Sequence, residues 1–376
     1  MSDEIYRKLA QYLDSLPPGF PPTESGVELR ILKRLFTPEE AALALHLTLL
    51  GEEPKVVALR VHRPVDEVAE QLEQMASKGL IYRISRRSKP PLYQIIYFVL
   101  GIWEFQLNRL NEGLVQDVDE YMAYVIEHGF WKTSPQLRTI PVMESIPVEH
   151  GILAYDQAET VVRSRREILL APCICRREKE LQGESCGKPL ETCLLFDTAA
   201  RFYHKNGLGR MISADEAMDV LHLAAQTGLV IQPTNSQDPV GLCCCCGDCC
   251  GALRNLNRLE KPAEQVVSAY QAYHDPELCA ACGTCVLRCQ MDAMVETDGV
   301  YSLNLDRCIG CGLCVLTCST GALTLAPKPV EERPRIPRNE FYTALQMWQD
   351  RGRLDVPEMA MMVVKSKLDR LRASLS

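Results

Sequence analysis

The chain has 376 residues and a mass of 42.2 kDa, enough for two or three domains with substantial cores. Apolar residues make up 47% and charged residues 24%, which excludes a disordered or collagen-like chain, and the net charge of −8 argues against a dedicated nucleic-acid-binding protein. The one unusual feature of the composition is its 18 cysteines.

All of these cysteines lie between Cys173 and Cys318. A secreted disulfide-rich protein is usually short and follows a signal peptide, whereas this chain is long and has no apolar run behind a basic start. Its longest apolar stretch, Ile95 to Trp103, is too short to span a membrane. We therefore expect a cytoplasmic protein without a membrane span, whose cysteines act as metal ligands or redox groups.

Hydrophobic periodicity and linker composition predict an α+β, multidomain chain. The predicted segments are an N-terminal helix and linker (1–26), a helical domain (27–135), a cysteine-rich mixed α/β domain (136–261), a compact cysteine-repeat module (275–326) and C-terminal helices (338–376).

Residues 27–98 predict three helices followed by two strands around a basic tip. The first of these helices spans Pro38 to Leu49, with Thr37 as its N-cap. This order resembles a winged helix-turn-helix, in which the third helix would enter the DNA major groove. That helix carries four acidic residues that would repel phosphate: Asp66, Glu67, Glu70 and Glu73. We therefore do not expect DNA as a partner, and we expect the winged-helix-like domain to serve in docking or in a homodimer.

The strongest signal is an internal repeat of cysteines with an offset of 29 residues. Each copy has the pattern C-x2-C-x2-C-x3-C, and a shared glycine follows the second cysteine, Gly283 in one copy and Gly312 in the other. The first copy supplies Cys279, Cys282, Cys285 and Cys289, and the second supplies Cys308, Cys311, Cys314 and Cys318. Three cysteines at this spacing suit three corners of a cubane iron–sulfur cluster, and the small glycines allow a close backbone approach. Zinc sites usually use paired C-x2-C units and four ligands, which this pattern does not fit.

The segment 275–326 resembles the bacterial two-cluster [4Fe–4S] ferredoxins. In that family the fourth cysteine of each run ligates the other cluster. The resemblance implies one cluster on Cys279, Cys282, Cys285 and Cys318, and another on Cys308, Cys311, Cys314 and Cys289. The family usually has proline after the fourth cysteine, whereas this chain has Gln290 and Ser319. A hairpin is expected at Gly299, between the two runs.

Ten further cysteines do not match a ferredoxin loop. They are Cys173, Cys175, Cys186, Cys193, Cys243, Cys244, Cys245, Cys246, Cys249 and Cys250. On a strand, Cys243 and Cys245 would face one way and Cys244 and Cys246 the other, because consecutive side chains alternate. Glycines at 247 and 251 would allow turns that bring Cys249 or Cys250 back. We expect one or two further iron–sulfur clusters here, although one larger cluster or a redox-active dithiol is also compatible with ten thiols.

Two other features of this region bear on its chemistry. Its Cys-Cys-Gly steps resemble those in the cysteine-rich domains of heterodisulfide reductases, which implies thiol or disulfide chemistry. Basic residues surround the first cysteines, and positive charge stabilises thiolates and anionic clusters. These basic residues are Arg163, Arg165, Arg166, Arg176, Arg177 and Lys179.

Three functions are compatible with the sequence. The first is a multi-cluster iron–sulfur electron-transfer protein of anaerobic metabolism, relaying low-potential electrons between the ferredoxin module and a cluster in residues 173–250. Acidic residues outnumber basic ones in the module, so its redox partner protein should present a basic face. The second is an oxidoreductase that reduces a disulfide or sulfur compound at residues 173–250, and the third is a redox-sensing DNA-binding regulator. The sequence assigns no catalytic residue.

Overall fold

The computed structural model describes residues 2–128, 134–142, 145 and 156–375. The chain forms two compact units, the first comprising Met1–Thr133, Arg201–Leu208 and Ala344–Ser376, and the second comprising Ser134–Ala200 and Gly209–Thr343. Helices and antiparallel sheets occur together, which confirms the α+β class.

Helices and one hairpin form the N-terminal part of the first unit. The elements are α1 (Ser2–Ser15), α2 (Val27–Leu35), α3 (Pro38–Ala44), α4 (Pro54–Val61), α5 (Val65–Ser77), β1 (Tyr82–Ile84), β2 (Leu92–Gln94) and α6 (Glu112–Glu127). Thr37 caps the start of α3, as the sequence predicts, and the Glu40 side chain returns a hydrogen bond that completes a capping box. The predicted end at Leu49 is wrong, because α3 ends at Ala44 and the amides of His46 and Leu47 then donate only three residues back, to the carbonyls of Leu43 and Ala44.

The second unit begins with a five-stranded antiparallel sheet flanked by helices. Its elements are α7 (Ala158–Arg163), β3 (Ile168–Pro172), α8 (Ile174–Leu181), β4 (Glu191–Phe196), α9 (Asp197–Lys205), β5 (Arg210–Ile212), α10 (Ala214–Thr227), β6 (Val230–Pro233), β7 (Gly241–Cys245) and α11 (Gly251–Leu256). The strand order is β5-β3-β4-β7-β6. Helix α9 continues from the second unit into the first. Pairing of β4 with β7 sets Cys193 opposite Cys243, so cysteines distant in sequence meet on adjacent strands.

The cysteine-repeat segment adds two small antiparallel sheets to the second unit. Its elements are β8 (Tyr270–His274), α12 (Thr284–Arg288), β9 (Met294–Thr297), β10 (Val300–Leu303), α13 (Leu313–Leu316) and β11 (Leu323–Pro327). Strand β8 pairs with β11, and β9 pairs with β10. The β9–β10 turn consists of Asp298 and Gly299 with φ angles of 52° and 78°, the geometry that a two-residue hairpin favours. The expected hairpin is thus confirmed.

The two copies of the cysteine repeat also have similar backbone conformations at corresponding residues. Residues 281 and 310 lie 29 positions apart, and both have left-handed φ angles, 51° for Ala281 and 68° for Gly310. At Gly310 a Cβ atom would lie 2.1 Å from the carbonyl oxygen of Tyr270, so only glycine fits. The two copies therefore share one backbone path, and the second is packed more tightly than the first.

One hydrophobic core joins the cysteine-repeat segment to the sheet. Met291, Ile309 and Leu313 belong to the same buried cluster as residues of β3, β4, β6, β7 and α11. Two arginines reinforce this contact. Arg288 donates to the carbonyl of Gln226 at the end of α10 over 2.7 Å, and Arg307 donates to the carbonyls of Met291, Leu259 and Asn257 over 2.8, 3.1 and 3.2 Å.

Two C-terminal helices complete the chain, α14 (Glu340–Asp350) and α15 (Val356–Leu375). A buried ionic network holds α15 against α4. Arg60 contacts Glu52 over 2.6 Å and Asp369 over 2.7 Å. Short 3-10 or π segments lie at Phe98–Ile102, Glu104–Gln106, Pro262–Gln265, Pro276–Leu278 and Val330–Glu332. Among the described residues, no helix combines the length and apolar character needed to cross a membrane.

Candidate metal centres

Two cavities in the cysteine-repeat segment each collect four thiols. The outer cavity is lined by Cys279, Cys282, Cys285 and Cys318. The inner cavity is lined by Cys289, Cys308, Cys311 and Cys314. These are the two crossed sets that the ferredoxin resemblance implies, each taking its fourth cysteine from the other copy of the repeat. Four convergent thiols are the donor set of a [4Fe–4S] cluster, so both cavities fit that group.

The two cavities differ in exposure. Cys282 in the outer cavity is exposed, and its pKa is lowered by hydrogen bonds from the Thr284 side chain and backbone amide. In the inner cavity, burial raises the pKa of Cys311 well above its ordinary value and that of Cys314 to about 12. Buried thiols of this kind ionise only when a cation binds them, as a cluster would.

The glycines of the repeat act through the backbone. Gly283 and Gly312 have φ angles of 73° and 76° and directly precede α12 and α13. A Cβ at Gly312 would lie 2.4 Å from the Ser145 Oγ, and one at Gly283 would lie 3.1 Å from the Tyr301 hydroxyl. Both positions therefore need glycine, for a left-handed turn that brings the loop close to its neighbours.

The ten other cysteines divide into two groups and one single residue. Six of them form a connected series of thiol contacts, which we call the six-thiol group. The series runs Cys193, Cys243, Cys245, Cys250, Cys175, Cys173. These residues come from β4, β7, α8 and the residues just before α8 and α11. The group therefore forms only when the sheet is assembled.

Helix N-termini stabilise two thiolates of the six-thiol group. Cys173 directly precedes α8, and Cys250 directly precedes α11. The pKa of Cys250 lies well below its ordinary value because Cys175 and Cys245 donate to it, with further hydrogen bonds from the amides of Leu253 and Ala252. Contact with Cys175, together with hydrogen bonding from the amide of Arg176, lowers the pKa of Cys173. Thiols with a lowered pKa lose their proton more readily, and the resulting thiolates are good metal ligands.

A second group contains Cys186, Cys246 and Cys249, which we call the three-thiol group. Their sulfur atoms all lie within 4.8 Å of one another, and the Sγ atoms of Cys186 and Cys246 are 3.9 Å apart. Cys246 and Cys249 are buried, whereas Cys186 is partly exposed.

Cys244 stands outside both groups. It is 1% exposed and packs in the hydrophobic core of the second unit. The expected alternation along β7 is therefore confirmed for Cys243 and Cys245 against Cys244, while Cys246 lies beyond the strand and joins the three-thiol group. Gly247 lies in the expected turn. A Cβ there would lie 2.6 Å from the carbonyl oxygen of Gln290, so this close approach of the two backbones requires glycine.

Arg176 is the basic residue that reaches the cysteines. It is 3% exposed, donates to the Thr192 hydroxyl over 2.6 Å and to the Cys244 carbonyl over 2.8 Å, and contacts the Cys246 thiol. Its charge therefore lies among the thiols of residues 173–250. Several of the other basic residues form ion pairs with nearby acids: Arg163 with Glu159, Arg165 with Asp238, Arg177 with Glu180 and Lys179 with Glu184.

Gln290 connects the cysteine-rich loop to the inner cavity, a role that the sequence does not reveal. It directly follows Cys289, at a position where ferredoxins of this type usually have proline. Its side-chain oxygen accepts from the amide of Gly247 over 2.8 Å, and its carbonyl accepts from the Asn257 side chain over 2.9 Å. The departure from the ferredoxin pattern thus provides a contact between the two cysteine regions.

Comparison with known proteins agrees with this geometry. A family model described as a 4Fe-4S dicluster domain matches residues 278–323, which include all eight cysteines of the two cavities. No curated protein matches the chain. The chain therefore contains a ferredoxin-type iron–sulfur segment beside a further cysteine-rich region, and this combination indicates iron–sulfur electron transfer.

Proposed function

We propose that the protein is an iron–sulfur electron carrier that relays electrons between the dicluster segment and a further iron–sulfur cluster bound by the six-thiol group. The observation that carries the proposal is that both regions share one hydrophobic core. Cys245 and Cys250 of the six-thiol group are buried in this core, and Cys289 and Cys311 of the inner cavity pack against it. The hydrogen bond from the Gly247 amide to the Gln290 side chain adds a further contact between the two regions. A packed, hydrogen-bonded connection of this kind keeps the distance between two redox centres short.

The proposed order of electron transfer follows from the solvent exposure of the two cavities. The outer cavity includes the exposed Cys282, whereas the inner cavity is lined by the core residues Met291 and Ile309. A redox partner protein would therefore exchange electrons with the outer cluster. The inner cluster would pass them to or from the six-thiol group.

Charge around the outer cavity suits a basic partner protein. Asp275, Glu277, Glu296 and Asp298 are exposed in this segment, while its Arg288 and Arg307 donate to backbone carbonyls. An acidic face next to an exposed cluster would steer a basic partner to it and make the association rate dependent on salt.

The charges on the first unit count against DNA binding. Asp66, Glu67 and Glu70 are exposed on α5, the helix that a winged-helix domain would place in the major groove. Arg86, in the basic tip between β1 and β2, pairs with Glu53 over 2.7 Å. We therefore propose no DNA partner.

The relay is tested by following where electrons go. The protein is mixed anaerobically with a reduced basic electron-transfer protein and freeze-quenched for EPR, using wild type and a Cys279→Ser/Cys282→Ser variant that lacks the outer cluster. We expect the signal of the six-thiol cluster to develop after the dicluster signals in wild type, and several-fold more slowly in the variant. An unchanged rate in the variant would overturn the relay.

The control is a small reductant that needs no docking site. It should reduce the six-thiol cluster fully in both proteins, which would show that the variant has kept this centre. A variant that lacks the six-thiol signal even with the small reductant would contradict the assignment of the two regions as separate centres.

A further inference from the structure

The three-thiol group has a geometry different from that of the dicluster cavities. In a cubane each cysteine binds a different iron, so the sulfur atoms stand apart at separate corners. A single tetrahedral ion with metal–sulfur bonds of about 2.3 Å instead brings its sulfur ligands to about 3.8 Å from one another. The Sγ atoms of Cys186 and Cys246 are 3.9 Å apart, and all three sulfurs lie within 4.8 Å. Within the part of the chain that the structure describes, this is the one group of metal-ligating side chains that converges so closely.

The local backbone also has the form of a thiolate metal site. Cys246 and Cys249 have the C-x2-C spacing that zinc sites use. The amide of Cys249 donates to the Cys246 sulfur, and the amide of Lys188 donates to the Cys186 sulfur. Between Cys186 and Lys188, Gly187 has a φ of 67°, which turns the chain towards the sulfur. Amide donors of this kind orient and stabilise thiolate ligands.

The charge of a metal-bound three-thiol group would be balanced by a nearby arginine. Three thiolates and one divalent cation carry a net charge of −1, and the guanidinium of Arg176 contacts the Cys246 thiol. Arg176 is 3% exposed, so an isolated positive charge there would be costly without an anionic partner. A metal-bound set of three thiolates supplies that partner.

We infer that Cys186, Cys246 and Cys249 bind one Zn²⁺ ion in a sulfide-free tetrahedral site with an exchangeable fourth ligand. Among the described residues, no fourth His, Cys, Asp or Glu belongs to this convergent group. The partly exposed Cys186 leaves the fourth position accessible to water or to a small external ligand. Three protein ligands and one open position are typical of catalytic rather than structural zinc sites.

The site is tested by metal analysis of the full chain purified anaerobically from cells supplied with iron and zinc. Wild type, Cys186→Ala and the matched control Cys244→Ala are compared for zinc, iron and acid-labile sulfide. We expect one zinc per chain in wild type and in the control. The Cys186→Ala variant should lose the zinc and keep all iron and sulfide. Retention of zinc in Cys186→Ala, loss of about four irons with their sulfide, or one iron in place of zinc in wild type would each overturn the assignment.

A spectroscopic measurement on wild type covers the case in which the variant does not fold. Zinc-edge X-ray absorption should show three sulfur ligands at about 2.3 Å and one lighter ligand, oxygen or nitrogen. Four sulfur ligands, or none, would contradict the site. The relay proposal does not depend on this result, because the six-thiol group and the dicluster cavities contain none of the three cysteines.

Discussion

The two cysteine regions of the second unit are assembled in opposite ways. In the dicluster segment each cavity takes three thiols from one short loop and a fourth from the other copy of the repeat, the arrangement that the ferredoxin resemblance implies. In the six-thiol group the sulfurs come from four parts of the sheet and its helices, from Cys173 to Cys250. The first region is a local motif and the second is a product of topology, so they should respond differently to substitution.

The largest expected effect is the loss of one complete cluster from the local motif. A Cys308→Ser/Cys311→Ser variant should lose about four irons and four sulfides per chain, because it removes two ligands of the inner cavity. Iron analysis and EPR should show that the outer cluster and the six-thiol cluster remain. Loss of all iron would contradict the view that the dicluster sites form independently of the sheet.

A comparable loss should follow from one substitution in the six-thiol group. Cys245 contacts both Cys243 and Cys250, so Cys245→Ser interrupts the series in its middle. We expect the iron of this group to be lost while both dicluster EPR signals persist. The control is Cys244→Ala on the same strand, which should keep its full iron content. An equal loss in both variants would indicate general misfolding of β7.

Backbone strain distinguishes two glycines of the dicluster segment. Gly310→Ala should destabilise the protein by roughly 3 kcal/mol or more, since its Cβ would collide with the Tyr270 carbonyl at a left-handed φ. Gly321→Ala has a similar φ of 71° but nothing within 4 Å of the Cβ, so strain of about 1 kcal/mol is expected. Anaerobic denaturant unfolding measures both. Equal losses would contradict the close packing of the second repeat copy.

The contact between the two regions should affect the rate of electron transfer rather than the metal content of the protein. Gln290→Ala removes the acceptor for the amide of Gly247, so electron transfer between inner cluster and six-thiol cluster should slow several-fold. Iron content should not change. Gln271→Ala on β8 is a suitable control, because the Gln271 side chain donates to the exposed Tyr273 hydroxyl. Freeze-quench EPR would contradict the role of Gln290 if both variants transferred electrons at the wild-type rate.

The smallest expected effect is a gain in stability. Ala281 occupies the left-handed position that Gly310 holds in the other copy. Ala281→Gly should stabilise the protein by roughly 0.5–1 kcal/mol, the relief of left-handed strain less the entropy cost of glycine. An unfolding midpoint equal to or below that of wild type would show that the first copy tolerates alanine without strain.

Sequence patterns predicted the parts of the site that depend on short-range spacing. The three-cysteine loops, the Asp298–Gly299 turn and the alternation of Cys243 and Cys245 against Cys244 follow from residues close in the chain, and the crossed fourth ligands follow from the ferredoxin resemblance. The division of the remaining ten cysteines into six, three and one depends on strand pairing, such as Cys193 opposite Cys243, which no local pattern specifies.

The contacts that two further residues make with the cysteine-rich region could not be predicted from the sequence either. Arg176 looks like its basic neighbours in the sequence, and only the fold shows that it is buried beside Cys246. Gln290 was recognisable only as a departure from the ferredoxin pattern, because its partner Gly247 lies 43 residues away.

Iron and sulfide content per chain, combined with EPR of the reduced protein, tests the central claim most directly. The account predicts about twelve irons in wild type, from two dicluster sites and one six-thiol cluster. A Cys279→Ser/Cys308→Ser variant, which removes one ligand from each cavity, should retain about four irons with an EPR signal of their own. Eight irons in wild type and none in the variant would contradict it, because the six-thiol group would then hold no cluster.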